Sequence, residues 1–79
     1  MHILFFAQVK DAAGLAEWDL PVTGALTTGE LWDRIIAAHP GLRVFQKTTR
    51  LARNGEYTDA TDRFTDADEV ALIPPVSGG

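Results

Sequence analysis

Residues 26–41 carry a full set of helix start and stop signals, while both ends of the chain read as strands, so one helix has to cover a sheet. Thr27 followed three residues later by Glu30 is a capping box, in which each side chain takes up an orphan backbone donor of the first turn. Leu26 and Leu31 stand at the two positions of a hydrophobic staple around that cap. Leu31, Trp32, Ile35, Ile36 and Ala38 then follow the 3.6-residue period and form a broad apolar stripe. His39 precedes Pro40, which disfavours helical geometry there, and Gly41 follows, so the helix stops near Ala38.

The flanking segments have strand composition. His2 to Val9 reads as a strand, Lys10 to Leu15 as a turn around Gly14. Ala16, Trp18, Leu20 and Val22 alternate with Glu17, Asp19 and Pro21, a half-buried strand that Pro21 places at a sheet edge. Together these predict an N-terminal hairpin. Past the helix, Leu51–Arg53 and Glu56–Thr58 flank Asn54-Gly55, a strong two-residue hairpin signal. Asp59 to Asp68 is turn-rich with Phe64 as its anchor, and Glu69–Ile73 is a last strand that Pro74-Pro75 terminates. The two outer segments are candidates for adjacent central strands with the helix across one face, an α+β roll.

Parity in the last strand separates its faces. Val70 and Leu72 form one side, and Glu69 marks the other, which also carries Ala71 and Ile73, as the wet one. If Ile3 and Phe5 face the helix, Leu4 and Phe6 join Ile73 on the wet face. Apolar residues gathered on an exposed face beside the chain end point to a docking surface, unless loops cover them.

Bulk properties narrow the function classes. The 79 residues suffice for one domain, read as residues 1–75 with residues 76–79 as a flexible tail. A domain of this size buries only about 60% of its unfolded surface, so its core is small. No cysteine occurs, which removes disulfides, thiolate metal sites and a catalytic cysteine. The net charge of −4 and scattered cations argue against nucleic acid, and Arg43, Lys47, Arg50 and Arg53 read as a solvated face. There is no apolar run long enough for a membrane span and no basic leader, so a cytoplasmic protein is expected.

The chain ends Pro74-Pro75-Val76-Ser77-Gly78-Gly79. The prolines stop the strand and stiffen its exit, and the glycines allow the tip to enter a narrow slot. A Gly-Gly end alone is also what a frayed terminus looks like. Its context carries more weight. Leu4-Phe5-Phe6-Ala7-Gln8-Val9 followed by Gly14, and Thr65-Asp66-Ala67-Asp68-Glu69-Val70 leading to the Pro-Pro-Val-Ser-Gly-Gly ending, resemble the two signature segments of the small, sulfur-carrying subunits of molybdopterin synthase. Ser77 where Thr is frequent and Ile73 where an aromatic can stand are mild departures.

The resemblance implies a ubiquitin-like β-grasp roll, with a mixed sheet, one main helix across one face and an extended Gly-Gly tail. It implies that an ATP-dependent, ubiquitin-activating-type adenylyltransferase forms an acyl-adenylate at Gly79, that a sulfur donor protein converts this to a thiocarboxylate, and that the loaded tail enters the large subunit of the synthase. Gly79 would supply the reacting atom and Gly78 its clearance, while Pro75, Val76 and Ser77 would accompany the tail into the channel. Phe6, Tyr57 and Ile73 would belong to the docking face. The family assembly is a heterotetramer, with no cofactor or metal bound by this chain and ATP used by the activating partner.

Other residues point elsewhere only weakly. His2 and His39 are isolated, and Trp18 and Trp32 read as core. Asp59, Asp62, Asp66, Asp68 and Glu69 lack the spacing of a calcium loop and read as solvated turn acids. Three functions stay open: a sulfur carrier for molybdopterin, a carrier for thiamine, cysteine or tRNA thiolation, and a ubiquitin-like modifier conjugated through Gly79. The Pro74-Pro75-Val76-Ser77 lead-in favours the first.

Overall fold

The two outer segments pair with each other at the centre of the sheet. In the computed structural model, which describes residues 1–75, β1 (His2–Phe5) and β7 (Glu69–Ile73) run parallel, with Ile3 beside Val70 and Phe5 beside Leu72. The tail positions Val76, Ser77, Gly78 and Gly79 lie outside the described residues. β2 (Glu17–Asp19) pairs antiparallel with β1, β4 (Arg50–Arg53) antiparallel with β7, and β5 (Glu56–Tyr57) antiparallel with β4. The order is β2-β1-β7-β4-β5, the mixed sheet that the sequence predicts. Asn54-Gly55 turns β4 into β5 with both residues at positive φ, 52° and 88°, as a tight two-residue hairpin requires.

One face of that sheet is dry. Ile3, Phe5, Val70 and Leu72 are at most 2% exposed and join one core with Leu31, Trp32 and Ile35 of α2 (Thr28–Ala38). Burying one such side chain contributes roughly 1.5–3 kcal/mol, so these contacts dominate the stability of a small domain. The helix starts as predicted. The Glu30 N–H donates to the Thr27 hydroxyl at 3.1 Å, and the Thr27 N–H donates to the Glu30 carboxylate at 2.9 Å. The Thr27 N–H first, and the Thr27 hydroxyl next, hold the Glu30 carboxyl below the usual carboxylate range. Leu26 and Leu31, the staple pair, are both buried. The helix ends at His39, where φ −133° and ψ 76° leave helical geometry before Pro40.

Four features differ from the sequence reading. The first strand ends at Phe5, and residues 7–13 form α1 (Ala7–Ala13) instead of the end of a strand and a turn. The segment buries Val9 alone, so it shows no apolar stripe, and Phe5 and Phe6 just before it with Val9 inside it mimic a continuing strand. Gly14 at φ 80° closes the helix, donating its N–H to the Lys10 carbonyl. The Ala16–Val22 strand shrinks to β2, three residues, with Trp18 half-buried against the core. Residues 40–45 form a 3-10 helix, which Pro40 opens and Leu42 anchors in the core. Finally, the turn-rich stretch contains β6 (Arg63–Thr65), which pairs with β3 (Ala25–Thr27) in a separate two-stranded sheet, and places Phe64 opposite Leu26. Phe64 is fully buried, the anchor the sequence suggests.

The acids hold turns together. Asp66 accepts from the Val22 N–H at 2.9 Å and from the Met1 ammonium at 3.0 Å, and in that order these lower its carboxyl pKa. Asp59 accepts from the Thr61 hydroxyl and N–H, which lower its pKa likewise. Asp62 accepts from the Asp59 N–H, and Asp68 from the Thr65 N–H, both at 2.8 Å.

Candidate docking face and tail root

The register of the five strands lines up the other face residue by residue. Glu17, Leu4, Ala71, Ala52 and Tyr57 stand in one row across the whole sheet. On one side of that row Ile73 stands beside Arg50, and on the other Asp19, His2 and Glu69 stand together. No described helix covers this face in the way α2 covers the opposite one: the helices contribute their buried side chains to the single core on the dry side.

Phe6 and Ile73 add apolar surface on one side of that row. Phe6 follows β1 in extended geometry, its carbonyl accepts the first bonds of α1, and Ala7 then turns the chain at φ 49°. A non-glycine residue in that region is uncommon, and here it swings the chain away at once, leaving Phe6 47% exposed. Beside it, Leu4, Phe6, Ala7, Lys10, Ala16 and Glu17 border a shallow hollow of about 370 Å³. Tyr57, at the sheet edge, is 56% exposed, and Ile73 is half-buried. Thus Phe6, Tyr57 and Ile73 all lie on this side, Phe6 and Ile73 where neighbouring strands leave the sheet and Tyr57 two strands away. After Ile73, Pro74 is buried and Pro75 is exposed, so the described residues end where the central strand leaves the sheet.

Charge sits at opposite ends of the face. His2 bridges two carboxylates of the adjacent strand, Nδ1 to Asp19 at 2.7 Å and Nε2 to Glu17 at 2.9 Å. Those hydrogen bonds, Asp19 first, raise the His2 pKa above the ordinary value. At the other end the Arg50 guanidinium lies 3.8 Å from the centre of the Tyr57 ring. Arg50 is exposed, as a solvated cation is expected to be, but its guanidinium is held on the Tyr57 ring. The stack was legible by counting outward from Asn54-Gly55: Arg53 meets Glu56, Ala52 meets Tyr57, and Arg50 falls diagonal to Tyr57.

The two histidines are engaged structurally. His39 meets Trp18 edge-on at 4.6 Å and Phe5 at 5.4 Å between ring centres. Among the described residues no three His, Cys, Asp or Glu side chains are placed to hold a metal ion, and no helix is long and apolar enough to cross a membrane. What the described residues build is a partly apolar, exposed sheet face with the last strand leaving at one end of it.

Known proteins share this sequence and this arrangement. The model of the ThiS family matches residues 3–79. The molybdopterin synthase sulfur carrier subunit of Chlamydomonas reinhardtii is 42% identical over 81 residues, which span 100% of this chain and 98% of that protein. Small archaeal modifier protein 1 of Haloferax volcanii is 38% identical over 87 residues, 100% of each chain. The crystal structure of SAMP1 from the same organism superposes with a TM-score of 0.84 at 35% identity, over 99% of this chain and 97% of that one. A subunit of the Helicobacter pylori complex of subunits 1 and 2 of molybdopterin-converting factor superposes at 0.67 over 99% of this chain and 96% of its own, at 23% identity, a likeness of fold. The mixed sheet with its single covering helix is therefore the β-grasp fold that the signature segments suggest.

Proposed function

The chain belongs to the ThiS family, and from that premise we propose that it is the sulfur-carrying subunit of a molybdopterin synthase, working through the carboxylate of Gly79. The observation that supports this most is the placement of the tail root. The last strand leaves the sheet through Pro74 and Pro75 beside an exposed face that holds Phe6, Tyr57 and Ile73, in a chain 42% identical to a protein named for that role.

The chemistry follows from the group itself. An α-carboxyl with a pKa of about 3.3–3.7 is ionised at neutral pH and is a poor electrophile. An adenylyltransferase of the ubiquitin-activating type joins it to the α-phosphate of ATP and releases pyrophosphate. Sulfide-level sulfur released by a sulfur donor protein then attacks the acyl carbon and AMP departs, which leaves a thiocarboxylate. The tail carries that sulfur into the large subunit, which transfers it to a precursor pterin. Gly78 provides clearance at the tip, and Val76 and Ser77 line the passage. In this scheme acids, bases and nucleotide-binding groups belong to the partners, and the chain binds no cofactor of its own. The setting is the cytoplasm, and the assembly has two of these chains at opposite ends of a large-subunit dimer. The Helicobacter pylori complex supports a second-subunit partner.

A second reading, a modifier conjugated to lysines through Gly79, is favoured by the likeness to small archaeal modifier protein 1. The variant lacking Gly79 tests the first reading. It should fold and bind the large subunit as wild type does, yet deliver no sulfur. Full transfer by that variant would move the reactive site elsewhere.

A further inference from the structure

The strand β4 carries two arginines that point to opposite faces, as residues three apart in a strand must. Arg53 is occupied on the core side: it pairs with Asp62 at 3.1 Å and donates to the Arg63 carbonyl. Arg50 is on the exposed face, beside Ile73, and among the described residues it makes no ion pair. Its guanidinium instead lies on the Tyr57 ring.

That stack has two consequences. A guanidinium resting on a ring keeps its in-plane N–H donors at the rim, where they match the two oxygens of a carboxylate. The ring also restricts a long side chain in advance, so less freedom is lost when the carboxylate arrives. Arginine and tyrosine are moreover the side chains most often found to dominate interface energies.

The far end of the same face has the opposite sign. Asp19 and Glu17 both hydrogen-bond the His2 ring, and Glu69 stands beside His2 in the strand register. The apolar row lies between the two poles. A partner covering this face must keep its own carboxylates away from the β2 edge and can place one at Arg50.

We propose that Arg50, laid on Tyr57 at the root of the tail, takes a carboxylate side chain of the partner protein and fixes the orientation in which the face docks. The proposal rests on the carrier reading above, in which the partner is the large subunit of the synthase. Orientation matters because the tail leaves from one end of the face, where the central strand β7 stops, and only one docking direction points it at a fixed entrance.

The test is calorimetric binding of the full chain to the large subunit from the same organism, at low and moderate salt, for wild type, Arg50→Gln and Arg50→Lys. Arg50→Gln should bind about tenfold more weakly and with a flatter salt dependence, as loss of a complementary charge predicts. Arg50→Lys should recover part of that loss, because it restores the charge without the planar fork. Equal affinity and equal salt dependence for wild type and Arg50→Gln would overturn the proposal. So would an Arg50→Gln variant whose self-association changes in sedimentation while the complex does not, because the occupant would then be a second copy. Absence of any binding by the wild-type chain would overturn the carrier reading itself, which separates the two failures.

Discussion

Along β1, Ile3 and Phe5 are at most 2% exposed, whereas Leu4 between them is only half-buried and Phe6 beyond them is 47% exposed. Along β7 the same contrast sets Val70 and Leu72 against Ala71 and Ile73. Four neighbouring apolar residues of one segment thus meet two different fates, and nothing in their own chemistry decides which. The cover decides it. The dry face packs against α2 and holds the fold together, while the other presents similar side chains to water and gains nothing from them in the free chain. An apolar residue left exposed contributes little to stability, so its use is in contact with something else.

Substitutions on the two faces can break that contrast. The largest effect is expected from Phe5→Ala, which should lower unfolding free energy by about 3–5 kcal/mol in urea titrations, the range for truncating a buried aromatic. A domain with only about 5–15 kcal/mol in hand would lose much of its stability, and binding would fall with it. Phe6→Ala, one residue along, should cost no more than about 1 kcal/mol, the usual scale of a single substitution outside the core. Its affinity for the large subunit should fall at least about tenfold, as for an aromatic anchor. Equal stability losses for the two variants would erase the distinction between the faces.

The smallest effect concerns pH. The two carboxylates raise the folded-state pKa of His2 above the ordinary 6.5. The contribution of the clamp to stability is therefore complete below the unfolded-state pKa and is lost as pH rises through the raised folded value. Wild type should lose slightly more melting temperature from mildly acidic to mildly alkaline pH than His2→Asn does. Glu30, Asp59 and Asp66, whose pKa values are lowered, titrate below that window. Parallel curves for the two proteins would show that the clamp adds nothing.

How much of this was legible in the sequence depended on whether an element announced itself locally. The capping box at Thr27 and Glu30, the Asn54-Gly55 turn and the strand cut off by Pro74 each carry their own signal; the last strand matches its expected bounds, and the two strands beside the turn differ from theirs by one residue each. That the two outer strands are central neighbours follows from the two apolar end segments, while their parallel sense comes from the structure. α1 escaped because it buries Val9 alone, and β6 because three residues inside a run of turn acids pair with a strand far away in the chain. At the candidate site, parity placed Ile73 and Phe6 on the exposed side, but the Arg50–Tyr57 stack needed cross-strand register that composition does not contain.

The central claim, that the chain carries sulfur on the carboxylate of Gly79, is tested most directly by intact-mass analysis of the protein purified from its native host. The account predicts a population heavier by a single oxygen-to-sulfur exchange, located on the C-terminal peptide. A ladder of lysine conjugates with no thiocarboxylate would contradict it and make the chain a modifier instead.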